Sequence, residues 1–177
     1  MQVTIRPFRA IDASKLQRSV LRSVGHVRPW LDWCTPRYVL SDAQSWIEQS
    51  ESLWRQGQAF RWAIVAHTES RGGNEDILGC VEIKLTVPGS KVAEMGYWVA
   101  RDATGQGACT QAAVQALQWA FAHLILERVE LLIQPANCAS IGVAEKIGAS
   151  FQELREGAIT YQGEPKTAAC YAVTPKR

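Results

Sequence analysis

The chain has 177 residues, 47% hydrophobic and 20% charged, with a formal net charge of +2. That length suits one domain spanning residues 1–177, with room for a real core, and the composition is ordinary for a soluble globular protein. Near-neutral charge without a Lys/Arg block gives no case for nucleic acid, and no apolar run is long enough to predict a membrane segment.

Arg6 and Arg9 make the start of the chain charged, so neither a signal peptide nor a membrane anchor is expected there. The five cysteines, Cys34, Cys80, Cys109, Cys138 and Cys170, are scattered and form no C-x-x-C pair. Reduced thiols in a cytoplasmic protein, without a metal site, are the expectation. His26, His67 and His123 show no metal-ligand spacing either.

Residues 3–8 alternate as a first strand. Asp12 is placed to cap a helix over 13–24, with Leu16, Val20 and Val24 on one face and Gly25 to stop it. Residues 25–36 follow as a short helix or turn, bounded by prolines and carrying Trp30 and Trp33. Ser41-Asp42-Ala43-Gln44 reads as a capping box opening a helix to about residue 56, with Trp46, Ile47, Leu53 and Trp54 inward. Residues 59–66 and 77–87 read as strands around a polar loop at 67–76. Pro88-Gly89-Ser90 then turns the chain into a third strand over 94–99, predicting an antiparallel meander.

Gly105 and Gly107 separate that strand from a long helix rich in alanine. A later strand at 128–134 makes a strand–helix–strand unit, which predicts a right-handed crossover and a parallel pair. Asn137 caps a second helix to residue 147, ended by Gly148. Residues 150–155 and 167–173 read as a terminal hairpin around 162–165.

The glycine turn has two readings. Gly105 and Gly107 can take φ > 0 and carry no side chain, so successive N–H groups at a helix start can converge on an anion, most naturally a phosphate. The same residues also serve as a plain strand-to-helix turn. A P-loop is excluded because no Gly-Lys pair occurs in the chain, and a dinucleotide fingerprint lacks its third glycine, which is Thr110 here.

Three segments carry a family resemblance. They are Ala93-Glu94-Met95-Gly96-Tyr97-Trp98-Val99 with Gly105-Gln106-Gly107-Ala108; Asn137-x-x-Ser140, running on through Glu145-Lys146-Ile147-Gly148-Ala149; and Pro29-Trp30-Leu31-Asp32-Trp33. With the order of elements, they resemble the GCN5-related N-acetyltransferase superfamily, and within it the RimJ/RimL-type N-terminal acetyltransferases of ribosomal proteins. The resemblance implies an α/β (α+β) fold with a mixed sheet of about seven strands, an antiparallel meander, a splayed parallel pair and helices on both faces.

It also implies acetyl-coenzyme A as cosubstrate and an amine acceptor, such as a protein N-terminus, attacking directly in a ternary complex. The alternatives are a small-amine acetyltransferase acting on an amino-acid-like toxin or an antibiotic, and a coenzyme A-binding regulatory module with little catalysis. Dimers recur in the family, making a homodimer a candidate assembly.

By the same resemblance, Thr104, Gly105, Gln106, Gly107, Ala108 and Cys109 would hold the pyrophosphate. The exposed backbone of Tyr97, Trp98, Val99 and Ala100 would pair with the pantetheine arm, and Asn137 would lie beside it. The family motif Gln/Arg-x-x-Gly-x-Gly/Ala has Asp102 in its first place here, with Arg101 one residue early. Glu94 is the first candidate base, on the strand leading to the splay; it reads equally as an arginine partner or a substrate-ordering group. Glu82 follows as base or substrate-binding residue, then Glu156.

Many members protonate the leaving thiolate with a tyrosine seven residues after the asparagine, a place held by Ala144. The RimL-like pattern gives the proton-donor role to Ser140, whose other reading is a second capping hydroxyl. Trp30 and Trp33, with His26 and Arg28 beside them, would wall the acceptor cleft, while Trp46 and Trp54 are credited to packing. Cys109 and Cys138 fall near the cofactor and read as small packing residues rather than acetyl carriers.

Overall fold

The computed structural model describes residues 1–66 and 75–175; the loop expected over 67–76, with His67, lies almost wholly outside them. Strands β1 (Val3–Pro7), β2 (Ala59–Ala66), β3 (Asp76–Leu85), β4 (Val92–Val99), β5 (Arg128–Ile133), β6 (Ser150–Tyr161) and β7 (Glu164–Val173) form one sheet. Among the described residues the strand order is β1-β2-β3-β4-β5-β7-β6. The expected meander is β2–β3–β4, and the expected parallel pair is β4–β5. The helices are α1 (Ala13–Leu21), α2 (Val24–Val27), α3 (Leu40–Arg55), α4 (Ala108–His123) and α5 (Cys138–Lys146).

Both faces of the sheet are covered, as the near-continuous apolar run of β2 requires. Alternation sends Phe60, Trp62, Ile64 and Ala66 into a cluster with α4, and Ala63 and Val65 into a second cluster with α1, α2 and α3. Ala108, Ala112, Ala113, Ala116 and Ala120 are buried along α4, so small side chains let its axis approach the sheet closely. The remaining polar face of α4 closes an edge. Gln111 Oε1 accepts from Val3 N–H at 3.3 Å, and Gln115 Oε1 accepts from Ile5 N–H at 3.2 Å. Those bonds occupy backbone groups of β1 that would otherwise invite another strand.

The N-terminal half departs from expectation in three places. Asp12 does not cap α1. Its carboxylate accepts from Arg6 at 2.7 and 3.0 Å and from Arg9 N–H at 2.8 Å. A buried carboxylate takes the partner that can neutralise it. Gly25 does not end the first helix either: α1 stops at Leu21, and Gly25 lies inside α2. The helix expected to open at Ser41 starts one residue earlier, because Asp42 Oδ2 accepts from the extended Val39 N–H at 2.8 Å. At the other end, β6 and β7 run longer than the expected hairpin and meet at Gln162-Gly163.

Two predictions follow from this packing. Burial alone would push the Asp12 carboxyl up, but the hydrogen bonds from Arg6 and from Arg9 N–H outweigh it and hold the group below its ordinary value. Asp12→Asn should therefore cost about 3 kcal/mol near neutral pH. The wild-type advantage is complete above about pH 4 and shrinks as pH falls through the lowered folded-state pKa. Chemical denaturation of both proteins at about pH 7 and about pH 3 reads the effect.

The second prediction concerns Gly79, where β3 and β4 approach closely. A Cβ there would collide with the Trp98 carbonyl oxygen and lie 2.8 Å from Val99 Cα, both backbone atoms. Gly79→Ala should cost about 1–3 kcal/mol by overpacking and lower the thermal midpoint by several degrees. Gly25→Ala, whose new Cβ meets nothing within 4 Å, is the control in the same melts.

Candidate active site

The sheet opens in its middle. Strand β4 stays in register with β3 as far as Gly79↔Val99, but its pairing with β5 ends at Glu94↔Glu130. Beyond that point Tyr97 and Val99 have no partner strand on the β5 side. Ala100 N–H donates to Leu78 O on the β3 side, so alternation turns the backbone N–H and C=O of Val99 toward the gap. His26 takes the Val99 carbonyl, with Nε2 at 2.9 Å. A carbonyl only accepts, so Nε2 carries the proton, and Nδ1 is left buried without a hydrogen-bond partner. Val99 N–H keeps its place as a donor facing the gap.

A cleft of about 850 Å³ fills this opening. It runs through the sheet, because residues of opposite parity on β4 both reach it. Tyr97 packs on the α4 side, whereas Trp98 packs on the side of α1–α3. At one end lies the glycine turn, with Gly105 at φ 72° and Gly107 at φ 75°. Side chains of this turn serve the turn itself: Thr104 Oγ1 donates to Arg101 O at 2.7 Å, and Gln106 Nε2 donates to Asp102 O at 2.6 Å. The first N–H groups of α4 have no intrahelical acceptor, and Ala108, Cys109 and Thr110 at this helix N-terminus line the cleft.

Opposite stands the start of α5. Asn137 Oδ1 accepts from Ser140 N–H at 3.1 Å, as the expected cap does. Tyr97, from β4, meets this turn. Its hydroxyl donates to Ser140 O at 2.9 Å, and Ser140 Oγ donates to the Tyr97 hydroxyl at 3.2 Å. Burial pushes the Tyr97 phenol well above its ordinary value, only partly offset by the Ser140 hydrogen bond. Burial also raises the Cys109 thiol to about 12 and the Cys80 thiol well above its ordinary value. These two cleft cysteines are protonated near neutral pH and are poor nucleophiles.

The wall on the α1–α3 side is aromatic with one charged pair. Trp33 lies edge-on to Trp98 at 5.8 Å, and the carbonyl of Trp30 accepts from Gln134 Nε2 at 3.3 Å. The β6–β7 hairpin closes down on this segment: Tyr161 hydroxyl donates to Arg28 O at 3.0 Å, and Gln162 N–H donates to Asp32 Oδ2 at 2.8 Å. Arg61 pairs with Glu82, and its guanidinium lies 4.9 Å over the Trp46 ring. Glu82, Arg61 and Gly96 are cross-strand neighbours. With no side chain on Gly96, Glu82 is uncovered toward the cleft.

The structure gathers most residues singled out from the sequence on one cleft: His26, Trp30, Trp33, Glu82, Trp98, Val99, Thr104, Gly105, Gly107, Ala108, Cys109, Asn137 and Ser140. Glu94, Ala100 and Gln106 are not on its lining. Glu94 shares a face with Gly96 and Trp98 but stands before the opening, in register with Lys84 and Glu130. Ala100 is wholly buried and Gln106 exposed. Glu156 is exposed on β6. Arg61 and Trp46 line the cleft without having been picked out for it, and Tyr97, expected there for its backbone, also brings its side chain. Strand parity pointed Tyr97 away from the Trp98 face, and nothing local signals that the sheet is open to both sides. Among the described residues no three His, Cys, Asp or Glu side chains gather as a metal site, and no helix is long and apolar enough to cross a membrane.

Comparison with known proteins agrees with this geometry. The family model for the acetyltransferase (GNAT) domain matches residues 2–150. A putative ribosomal N-acetyltransferase of Bacillus subtilis, YdaF, is 27% identical over 146 residues, covering 82% of this chain and 76% of the relative. The RimJ of Mycobacterium smegmatis, solved in complex with CoA-disulfide, superposes with a TM-score of 0.84 at 26% identity, over 97% of this chain and 81% of that one. The microcin C7 self-immunity acetyltransferase MccE, solved with acetyl-CoA and AMP, shares the fold with a TM-score of 0.86 at 20% identity, over 98% and 93% of the two chains. An open parallel pair, a helix-start cradle and a family match across most of the chain have one common meaning: the protein belongs to the acetyltransferase (GNAT) family.

Proposed function

We propose that residues 1–177 form one cytoplasmic catalytic domain that transfers acetyl from acetyl-coenzyme A to the α-amine of a protein or peptide N-terminus, by direct attack in a ternary complex. The observation carrying this reading is the opening between β4 and β5, with an N–H cradle at one end and an aromatic wall bearing Glu82 on the opposite face. Acetyl-coenzyme A supplies the activated thioester; everything else falls to the chain. Backbone N–H groups of residues 104–109 receive the pyrophosphate, and the free edge of β4 receives the pantetheine amides as an added strand would. The Val99 N–H, left free while His26 occupies the carbonyl, polarises the thioester oxygen. Ser140 stabilises the sulfur as negative charge develops there.

For the base, we assign Glu82 ahead of Glu94, because Glu82 is the carboxylate on the cleft lining. Its demand is modest. An α-amine has a pKa of about 8, against about 10.4 for lysine, so a carboxylate acting directly or through water suffices near neutral pH. The protonated cleft thiols Cys80 and Cys109 favour direct attack over an acetyl-cysteine route. A small amine is the second reading, favoured by the aromatic wall of Trp30, Trp33 and Trp98.

A thiol-release screen tests both, using peptides with free N-termini, lysine peptides, polyamines and aminoglycosides. The expected outcome is release with free N-termini, on a rate limb rising toward about pH 8. Glu82→Gln should lower kcat roughly 100-fold and Ser140→Ala roughly 10-fold, whereas Glu94→Gln changes it little. Release with polyamines or aminoglycosides alone would move the assignment to the small-amine reading. Thermal stabilisation by acetyl-coenzyme A without release on any amine would identify a binding module instead.

A further inference from the structure

The Tyr97–Ser140 contact carries more than packing, given the acetyltransferase reading on which this inference rests. A half-buried tyrosine such as Tyr97 usually finds one partner for its hydroxyl. Tyr97 has two hydrogen bonds, both to residue 140: it donates to the Ser140 carbonyl and accepts from the Ser140 hydroxyl. Asn137 holds the Ser140 N–H from the other side. Residue 140 is therefore gripped at its amide nitrogen, its carbonyl oxygen and its side-chain oxygen, at the point where α5 meets the opening beside β4.

In the resting arrangement the single Ser140 hydroxyl proton points at Tyr97, away from a sulfur in the cleft. The 3.2 Å separation of the two oxygens serves a hydrogen bond in either direction. We propose that Tyr97 is the positioning residue for Ser140, its hydroxyl turning from the Ser140 carbonyl to Ser140 Oγ as the Ser140 hydroxyl turns to donate to the cofactor sulfur. No proton changes owner between the two residues. Two rotors swing together, and each oxygen keeps a partner throughout. Burial favours this over proton release, since the Tyr97 phenol is pushed well above its ordinary value and stays protonated.

Without the Tyr97 hydroxyl, a serine in the first turn of a helix has a competing choice. It can donate back to the carbonyl three or four residues earlier, here Asn137 or Ala136, and stop facing the cleft. Tyr97→Phe keeps the ring and its packing while removing that restraint.

Calorimetric titration with coenzyme A and with desulfo-coenzyme A separates the roles, because only the first offers a sulfur. Four proteins are compared at about pH 9, where a free alkyl thiol is partly thiolate and a hydrogen-bond donor draws it further toward that form: wild type, Tyr97→Phe, Ser140→Ala and the double variant. Wild type should bind coenzyme A about 10-fold more tightly than desulfo-coenzyme A, as one hydrogen bond to an anion provides. Tyr97→Phe should lose that preference as fully as Ser140→Ala, with no further loss in the double variant, while all four bind desulfo-coenzyme A alike. A Tyr97→Phe protein that keeps the wild-type preference, loses affinity equally for both compounds, or adds its loss to that of Ser140→Ala overturns the proposal. A wild type that binds both compounds without preference overturns the sulfur contact. A wild type that binds neither overturns the acetyltransferase reading itself.

Discussion

The parallel ladder between β4 and β5 is three residues long, and the site depends on its ending there. Each strand remains firmly held on its outer side, β4 by β3 as far as Val99 and β5 by β7 as far as Ile133. The two halves of the sheet can therefore part without either unravelling. Parting exposes backbone donors and acceptors that a closed sheet would consume, and unpaired backbone in an enclosed cleft is costly unless something fills it. His26 answers part of that demand at Val99. The rest is available to a ligand with its own amides. The candidate site is made by leaving a sheet unfinished.

Because the opening passes through the sheet, the two substrates need not compete for one surface. On the function proposed above, the glycine turn, α4 and α5 would form the cofactor side, and the segment from α2 to Trp33, with α3 and the β2–β3 pair, the acceptor side. Strand β4 borders both. Its alternate side chains divide the work: Tyr97 reaches Ser140 on one face, while Trp98 meets Trp33 on the other. Gly96 between them leaves the way to Glu82 clear. The cleft lining carries Arg61 paired with Glu82, the protonated thiols of Cys80 and Cys109, the Ser140 hydroxyl and Lys146 of α5. Oriented hydrogen bonds from the Ser140 hydroxyl and from backbone N–H groups are available to charge developing on sulfur or oxygen.

Much of this was legible in the residues. Strand β2 ran over 59–66 as read, Asn137 capped α5, and both turn glycines took positive φ. These features are local: each depends on side-chain alternation, on a cap reaching its own helix, or on a backbone only glycine adopts easily. The misreadings were also local in kind. Asp12 looked like a cap because aspartate often is one, but a buried carboxylate beside Arg6 gains more from a bidentate ion pair than from a helix terminus. Asp42 displaced Ser41 from the helix start because its carboxylate lies within reach of the Val39 amide.

The sequence by itself determined the order and kind of the elements and the glycine turn with its helix-start cradle, and its motifs carried the family resemblance. The elements and the turn rest on periodicity and on contacts between near neighbours in the chain. Which carboxylate stands on the cleft lining was decided only in three dimensions, since Glu82 and Glu94 sit in similar strands and differ only in standing within or before the opening. The pairing of Tyr97 with Ser140 also needed the tertiary structure, being a contact across 43 residues of chain. Parity assigns a side chain to one face of a sheet; where the sheet splits, both faces belong to the same site.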